Sequence, residues 1–270
     1  MTVPRAAGAG PHDAPLRLVV IGDSTAFTDH RGPQLPDTAH LYPNVLADRI
    51  QSALDRPTTV TVLAQAGTTV REALRLVTKD RHAQFDVVAP ADAVVIGIGS
   101  FDHAPAGVPA AWQAVVPYLR PTWLRRTVRG RLHRAYPALV RLRRGRGRRT
   151  PPAEFDRMYT QLLRQVRGLT RSRAAGVALG PTSHRAAYYG NRHPGHTAAQ
   201  ADQLALARAN GFAVVASWPH VEPHADALNP DGIHWPPQAH RAVGVALADV
   251  LIPQLHGARR IGPPDSEGQP

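Results

Sequence analysis

Two hydrophobic rhythms alternate along the chain. Leu16 to Ile21 is a nearly unbroken apolar, β-branched run that ends at Gly22. Tyr42 to Leu54 then repeats apolar residues at helical spacing, with Val45, Leu46, Ile50 and Leu54 on one face around Arg49. Thr59–Leu63 is strand-like and precedes Gly67, and Val70–Val77 is helix-like. Ala93–Ile96 is a short buried-strand run. Phe155, Met158, Tyr159, Leu162 and Val166 share a face of a helix over Glu154–Val166, with Thr150 and Pro151 predicted as its cap and first position. Strands over Gly176–Leu179 and Phe212–Ala216 flank an alanine-rich helix from about Thr197 to Ala209, and a last helix spans Gln238–Leu255. Strands alternating with helices predict βαβ units, and apolar runs without alternation suit parallel strands covered on both faces. Chemistry in such sheets gathers beyond the carboxyl ends of the strands.

The length, 270 residues, fits one large domain or two small ones. The expected domain covers residues 14–256, with Gly- and Pro-rich tails at 1–13 and 257–270. The absence of cysteine excludes disulfides, thiolate metal sites and a cysteine nucleophile. No run suits a signal peptide or a membrane span, which predicts a soluble cytoplasmic protein without stable membrane anchoring. The net charge of +12 is local: twelve arginines and no acid lie between Arg120 and Thr150, so the remaining chain balances. That segment belongs to a connection of nearly fifty residues, about 103–150, far longer than usual and read as a basic, lid-like insertion. Leu124, Val128, Leu132 and Tyr136 share a face within it, and Pro137 is expected to end or kink that helix.

Gly22-Asp23-Ser24 closes the first strand and places a serine where backbone N–H groups converge. Far along the chain, Asn229-Pro230-Asp231-Gly232-Ile233-His234-Trp235 sets an acid three residues before a histidine in a Pro/Gly turn. An Asp231 carboxylate on the imidazole Nδ1–H leaves Nε2 to take a proton from Ser24. Read singly, the serine is equally a helix cap and the histidine equally a surface residue; together they point to nucleophilic acyl chemistry.

These blocks resemble the SGNH, or GDSL-type, hydrolase superfamily. Its first block matches Gly22, Asp23 and Ser24, its last matches Asp231 and His234, and its second matches Gly67 in Ala64-Gln65-Ala66-Gly67-Thr68. The resemblance implies a flavodoxin-like three-layer α/β/α sandwich with a parallel five-stranded sheet. It also implies Ser24, His234 and Asp231 as nucleophile, base and orienting acid, with Ser24 and Gly67 N–H groups in the oxyanion hole. The third block is only partly matched by Gly99-Ser100-Phe101-Asp102: Phe101 stands in place of the usual asparagine donor, and Ser100 is the expected substitute.

Features outside the blocks are similar to the actinobacterial diglucosylglycerate octanoyltransferases, an SGNH family. They are the stretch from Tyr118 to Arg126, then Ser183-His184 with Tyr189, Gly190 and His193, and Ala239-His240 after the last block. This resemblance implies transfer of an octanoyl group from coenzyme A to a hydroxyl of a glucosylglycerate-type acceptor, with acyl-CoA as substrate and no resident cofactor. Asp23, Phe101, Trp123, Arg141, Arg143, Arg144, His184, Tyr189, His193 and Trp235 are the candidate substrate contacts. Arginine forks suit carrier phosphates, and Trp235 suits a sugar face or simple packing. The histidines at 184, 193, 196, 220 and 224 lack zinc-enzyme spacing, so no metal is expected. The competing readings are a carboxylester or carbohydrate esterase and a non-catalytic protein whose arginine segment binds RNA or a membrane surface, although no nucleic-acid partner is expected.

Overall fold

The computed structural model describes residues 14–108, 115, 118–171 and 174–260. Five strands, β1 (Leu16–Gly22), β4 (Thr58–Ala64), β5 (Ala93–Gly97), β6 (Ala175–Leu179) and β7 (Ala213–Val215), form one parallel sheet in the order β4-β1-β5-β6-β7. A two-residue hairpin, β2 (Thr28–Asp29) with β3 (Gly32–Pro33), stands apart. Alternate residues of β1 face opposite layers. Leu16, Leu18 and Val20 pack under α1 (Tyr42–Leu54) and the C-terminal helix, whereas Val19 and Ile21 pack under helices α2 (Val70–Lys79) and Pro152–Leu169. The expected α/β/α sandwich with a parallel five-stranded sheet is therefore the observed one. The centre of the sheet is buried on both faces because neither face of its apolar runs offers a polar stripe to water.

Among the described residues, the helices that follow α2 include α3 (Ser100–His103), α4 (Thr122–Leu142), α5 (Pro152–Leu169), α6 (His196–Ala209), α7 (Trp218–Val221) and α8 (Pro237–Arg260). Three boundaries differ from expectation. Pro137 lies inside α4, which runs on to Leu142 because Tyr136 and Val140 are buried against Ala186 and Tyr189. Pro151, not Thr150, precedes α5; the Thr150 hydroxyl instead donates to Asp102 Oδ1 at 2.5 Å. The last helix continues through 257–260, where a tail was expected. The tails at 1–13 and 261–270 lie outside the described residues.

The basic connection has a closed neck. Ala106 N–H donates to the Gly147 carbonyl, Arg149 N–H to Ala104 and Thr150 N–H to Asp102, so its two ends leave the sheet side by side. Its small core, Tyr136 and Val140 with Tyr188 and Tyr189, brings one end of α4 beside the carboxyl ends of the strands, and Tyr136 and Tyr188 stack at 4.7 Å.

Candidate active site

β1 delivers the serine. Asp23 caps the single 3-10 turn Ser24–Ala26, accepting from Thr25 N–H at 2.9 Å and the Thr25 hydroxyl at 2.7 Å. The turn brings Ser24 out of the sheet with its side chain part-exposed. His234 Nε2 lies 2.9 Å from Ser24 Oγ, and His234 Nδ1 lies 2.6 Å from Asp231 Oδ2. Thus Ser24, His234 and Asp231 meet in one line, in proton-transfer order.

The loop bearing the last two residues is wired to hold that line. Asp231 Oδ1 accepts from the N–H groups of Ile233 (2.7 Å) and His234 (3.2 Å), leaving Oδ2 for the imidazole. Burial alone would raise the Asp231 pKa, but the hydrogen bonds from the His234 ring and the Ile233 N–H, with the nearby imidazole charge, pull it below the ordinary carboxylate value. Asn229 accepts from Asp231 N–H and donates through Nδ2 to the Asp29 carbonyl, tying the loop to the β2–β3 hairpin. Gly232 takes φ +73°, and a Cβ there would sit 2.5 Å from the Arg185 carbonyl carbon. Gly232→Ala is therefore expected to push the loop off Arg185. The expected result is a loss of about 1–3 kcal/mol in stability, read by thermal unfolding, and a fall in turnover of about 100-fold.

A cavity of about 390 Å³ opens at Ser24 and His234. Its walls are largely apolar, with Phe27, Pro33, Phe101, Ala104, Tyr189 and Ile233 among the lining residues. Gly67, at φ +70°, lines it with Phe101 directly against its Cα, a Cβ there falling 3.2 Å from the ring. The Arg149 guanidinium lies 4.0 Å above the other part of this contact, the Phe101 ring centroid. Phe101 thus closes the wall where a polar donor was absent from the sequence pattern. Ser100 also lines the cavity, but its hydroxyl accepts from Thr182 N–H at 3.1 Å and bonds the Asp23 carboxylate, which leaves its N–H as the group to offer.

The other candidate contacts separate into two groups. His184 and Tyr189 line the cavity. His184 Nδ1 accepts from Ala186 N–H at 3.3 Å, and burial lowers its pKa to about 4, so the neutral ring carries its proton on Nε2, a buried atom without a protein partner among the described residues. Asp23 reaches the lining too, although its carboxylate is buried under the turn it caps and burial raises its pKa. The remaining six lie outside the lining. His193 stands behind His184, stacked at 4.7 Å and bonded to the His103 carbonyl. Trp235 is 1% exposed, packed against Tyr42 and His240 with its indole N–H on Thr182 Oγ1; it fills the core and presents no face to a sugar. Trp123, in the first turn of α4, is 66% exposed. Arg141 in the last turn of α4, and Arg143 and Arg144 just past it, are exposed. Arg149 at the Phe101 wall, Thr182 and Phe27 were not singled out from sequence; only Arg149, last of the acid-free arginine run, carried any signal there.

A serine–histidine–aspartate line at the carboxyl edge of a parallel sheet ordered β4-β1-β5-β6-β7 is the arrangement expected of a serine acylhydrolase or acyltransferase. The chain belongs to the GDSL-like Lipase/Acylhydrolase family, which matches residues 20–242. It is 30% identical over 245 residues to the diglucosylglycerate octanoyltransferase of Mycolicibacterium hassiacum, covering 87% of this chain and 96% of that one. It is 28% identical over 254 residues to the protein of that name from Mycobacterium tuberculosis, covering 87% and 94%. Among solved structures, a carbohydrate acetylesterase family member from Sinorhizobium meliloti shares the fold, with TM-score 0.55, 17% identity and coverage of 89% and 100%. Among the described residues, no helix is long and apolar enough to cross a membrane.

Proposed function

We propose that this protein transfers a medium-chain acyl group, octanoyl in the first instance, from an acyl-CoA thioester to a hydroxyl of a glucosylglycerate-type glycoside. The observation that carries the reading is the Ser24–His234–Asp231 line, at 2.9 and 2.6 Å, at the mouth of a largely apolar cavity. The two diglucosylglycerate octanoyltransferases, each matched over nearly its whole length, support the octanoyl group and the acceptor class.

In the first half-reaction His234 Nε2 takes the Ser24 Oγ proton as Oγ bonds the thioester carbon. The carbonyl oxygen gains negative charge beside the Ser24 and Gly67 N–H groups, with Ser100 N–H as the third donor. The C–S bond then breaks, and His234 gives its proton to the departing sulfur. In the second half-reaction the acceptor hydroxyl gives its proton to His234 while its oxygen bonds the acyl carbon, and Ser24 Oγ leaves and recovers the proton. Asp231 stabilises the imidazolium in both halves without taking a proton. The His184 Nε2–H supplies a hydrogen bond to the acceptor, Asp23 keeps the serine turn in place, and Arg149 with the arginines of α4 offers planar forks to the carrier's phosphates.

Incubation with octanoyl-CoA and diglucosylglycerate, followed by mass spectrometry, tests the reading. The expected products are an octanoyl adduct on Ser24 when the acceptor is omitted and an octanoylated glycoside when it is added. Free octanoate as the sole product, at any acceptor concentration, would make the protein an esterase. No adduct on Ser24 would end the covalent proposal.

A further inference from the structure

Two cavities meet at Phe27. The first is the one at Ser24; the second, of about 270 Å³, is lined by Ala26, Phe27, Leu41 and the edge-strand residues Val60, Val62 and Ala64. Phe27 is the residue the two linings share, three positions after Ser24. Its backbone is fixed: the N–H donates to the Ser24 carbonyl at 3.2 Å, and its own carbonyl accepts from Gln34 N–H at 2.8 Å. The ring therefore stands as a wall rather than on a loose loop. Beyond it, the polar side chains at the second cavity have their amide nitrogens engaged. Gln34 Nε2 donates to Asp29 Oδ1 and the Gly32 carbonyl, and Asn44 Nδ2 donates to the Pro36 and Thr38 carbonyls. What remains facing the space is mostly hydrocarbon, which suits methylenes and not a sugar or a phosphate.

Resting on the reading that Ser24 carries the acyl group, we infer that Phe27 sets the upper limit of acyl-chain length, and that the cavity behind it is a latent site for the distal methylenes of a longer chain. Removing the ring joins the two spaces. Each methylene that gains an apolar pocket changes specificity by about 10-fold or more, so the effect accumulates quickly with chain length.

The test is a chain-length profile on p-nitrophenyl butyrate, octanoate, dodecanoate and hexadecanoate, with the full chain and its Phe27→Ala, Phe27→Leu and Phe27→Ala/Val62→Phe variants. The expected result is a rise of at least about 10-fold in the dodecanoate-to-butyrate ratio of kcat/KM for Phe27→Ala. A smaller rise is expected for Phe27→Leu, and a return toward the parent ratio when Val62→Phe refills the second cavity. An unchanged ratio in a Phe27 variant that still cleaves butyrate would overturn the inference; if Phe27→Ala does not fold, Phe27→Leu decides it. Absence of any Ser24-dependent cleavage by the parent chain would instead overturn the acyl-Ser24 reading, and this inference with it.

Discussion

Ser24→Ala is expected to lower kcat for acyl transfer by about a million-fold, to the level left by binding and the oxyanion donors alone. The reason lies in the division of labour around β1. The Ser24 hydroxyl is the atom 2.9 Å from His234 Nε2, whereas the turn that presents it is held by Asp23 and Thr25. Alanine therefore removes the reacting oxygen and leaves the cap, so the melting temperature should be unchanged. Asp231→Asn should cost about ten-thousand-fold, because an amide facing Nδ1 no longer enforces the tautomer that leaves Nε2 free to accept. Steady-state kinetics with octanoyl-CoA, paired with thermal melts, reads both. Retention of more than about one per cent of activity by a folded Ser24→Ala protein would remove the serine from the chemistry.

The second large effect is on stability in acid. Burial holds His103, His184 and His240 at a pKa of about 4 and His193 at about 3, so these imidazoles stay neutral in the folded chain. The unfolded chain binds the same protons near 6.5. The stability these groups confer is complete above that value and drains away as pH falls toward 4. Asp29 and Asp231, with lowered pKa values, lose their share in the same direction at still lower pH. Asp102 opposes them. Burial pushes its pKa to about 6, so its contribution is full below about pH 4 and is lost as pH rises through 6; Asp23 acts in the same sense. Four imidazoles outweigh two carboxyls. The expected net loss between pH 7 and pH 4 is several kcal/mol, at about 1.4 kcal/mol per pKa unit. Urea midpoints at pH 7, 5.5 and 4.5 should therefore fall steeply with acidification, and a flat or rising series would refute the assignment.

The parts of this molecule that were legible in its sequence are those governed by short-range rules. The β-branched runs at Leu16 and Ala93 read as buried strands because every side chain in them is apolar on both faces. Gly22-Asp23-Ser24 and the Asp231–His234 turn were readable because the chemistry demands those residue types at fixed local spacing. Residues whose roles depend on distant neighbours were not. Trp235 after His234 suited a sugar face or simple packing, and only Tyr42 and His240, remote in sequence, decide for packing. Pro137 suggested a helix end or kink, but the burial of Tyr136 and Val140 carries α4 through it, and Arg141, Arg143 and Arg144 are not among the cavity-lining residues. Phe27 had no local signature at all, since its position is defined by two cavities that exist only after folding.

The hydrogen bond between Ser24 and His234 spans 210 positions of the chain. During synthesis the serine leaves the ribosome well before the imidazole, which follows only after all five strands have been made. A chain that stops short of His234 therefore has no imidazole beside Ser24, and under the proposed function it is expected to leave acyl donors untouched. Reactivity is licensed by completion of the sheet.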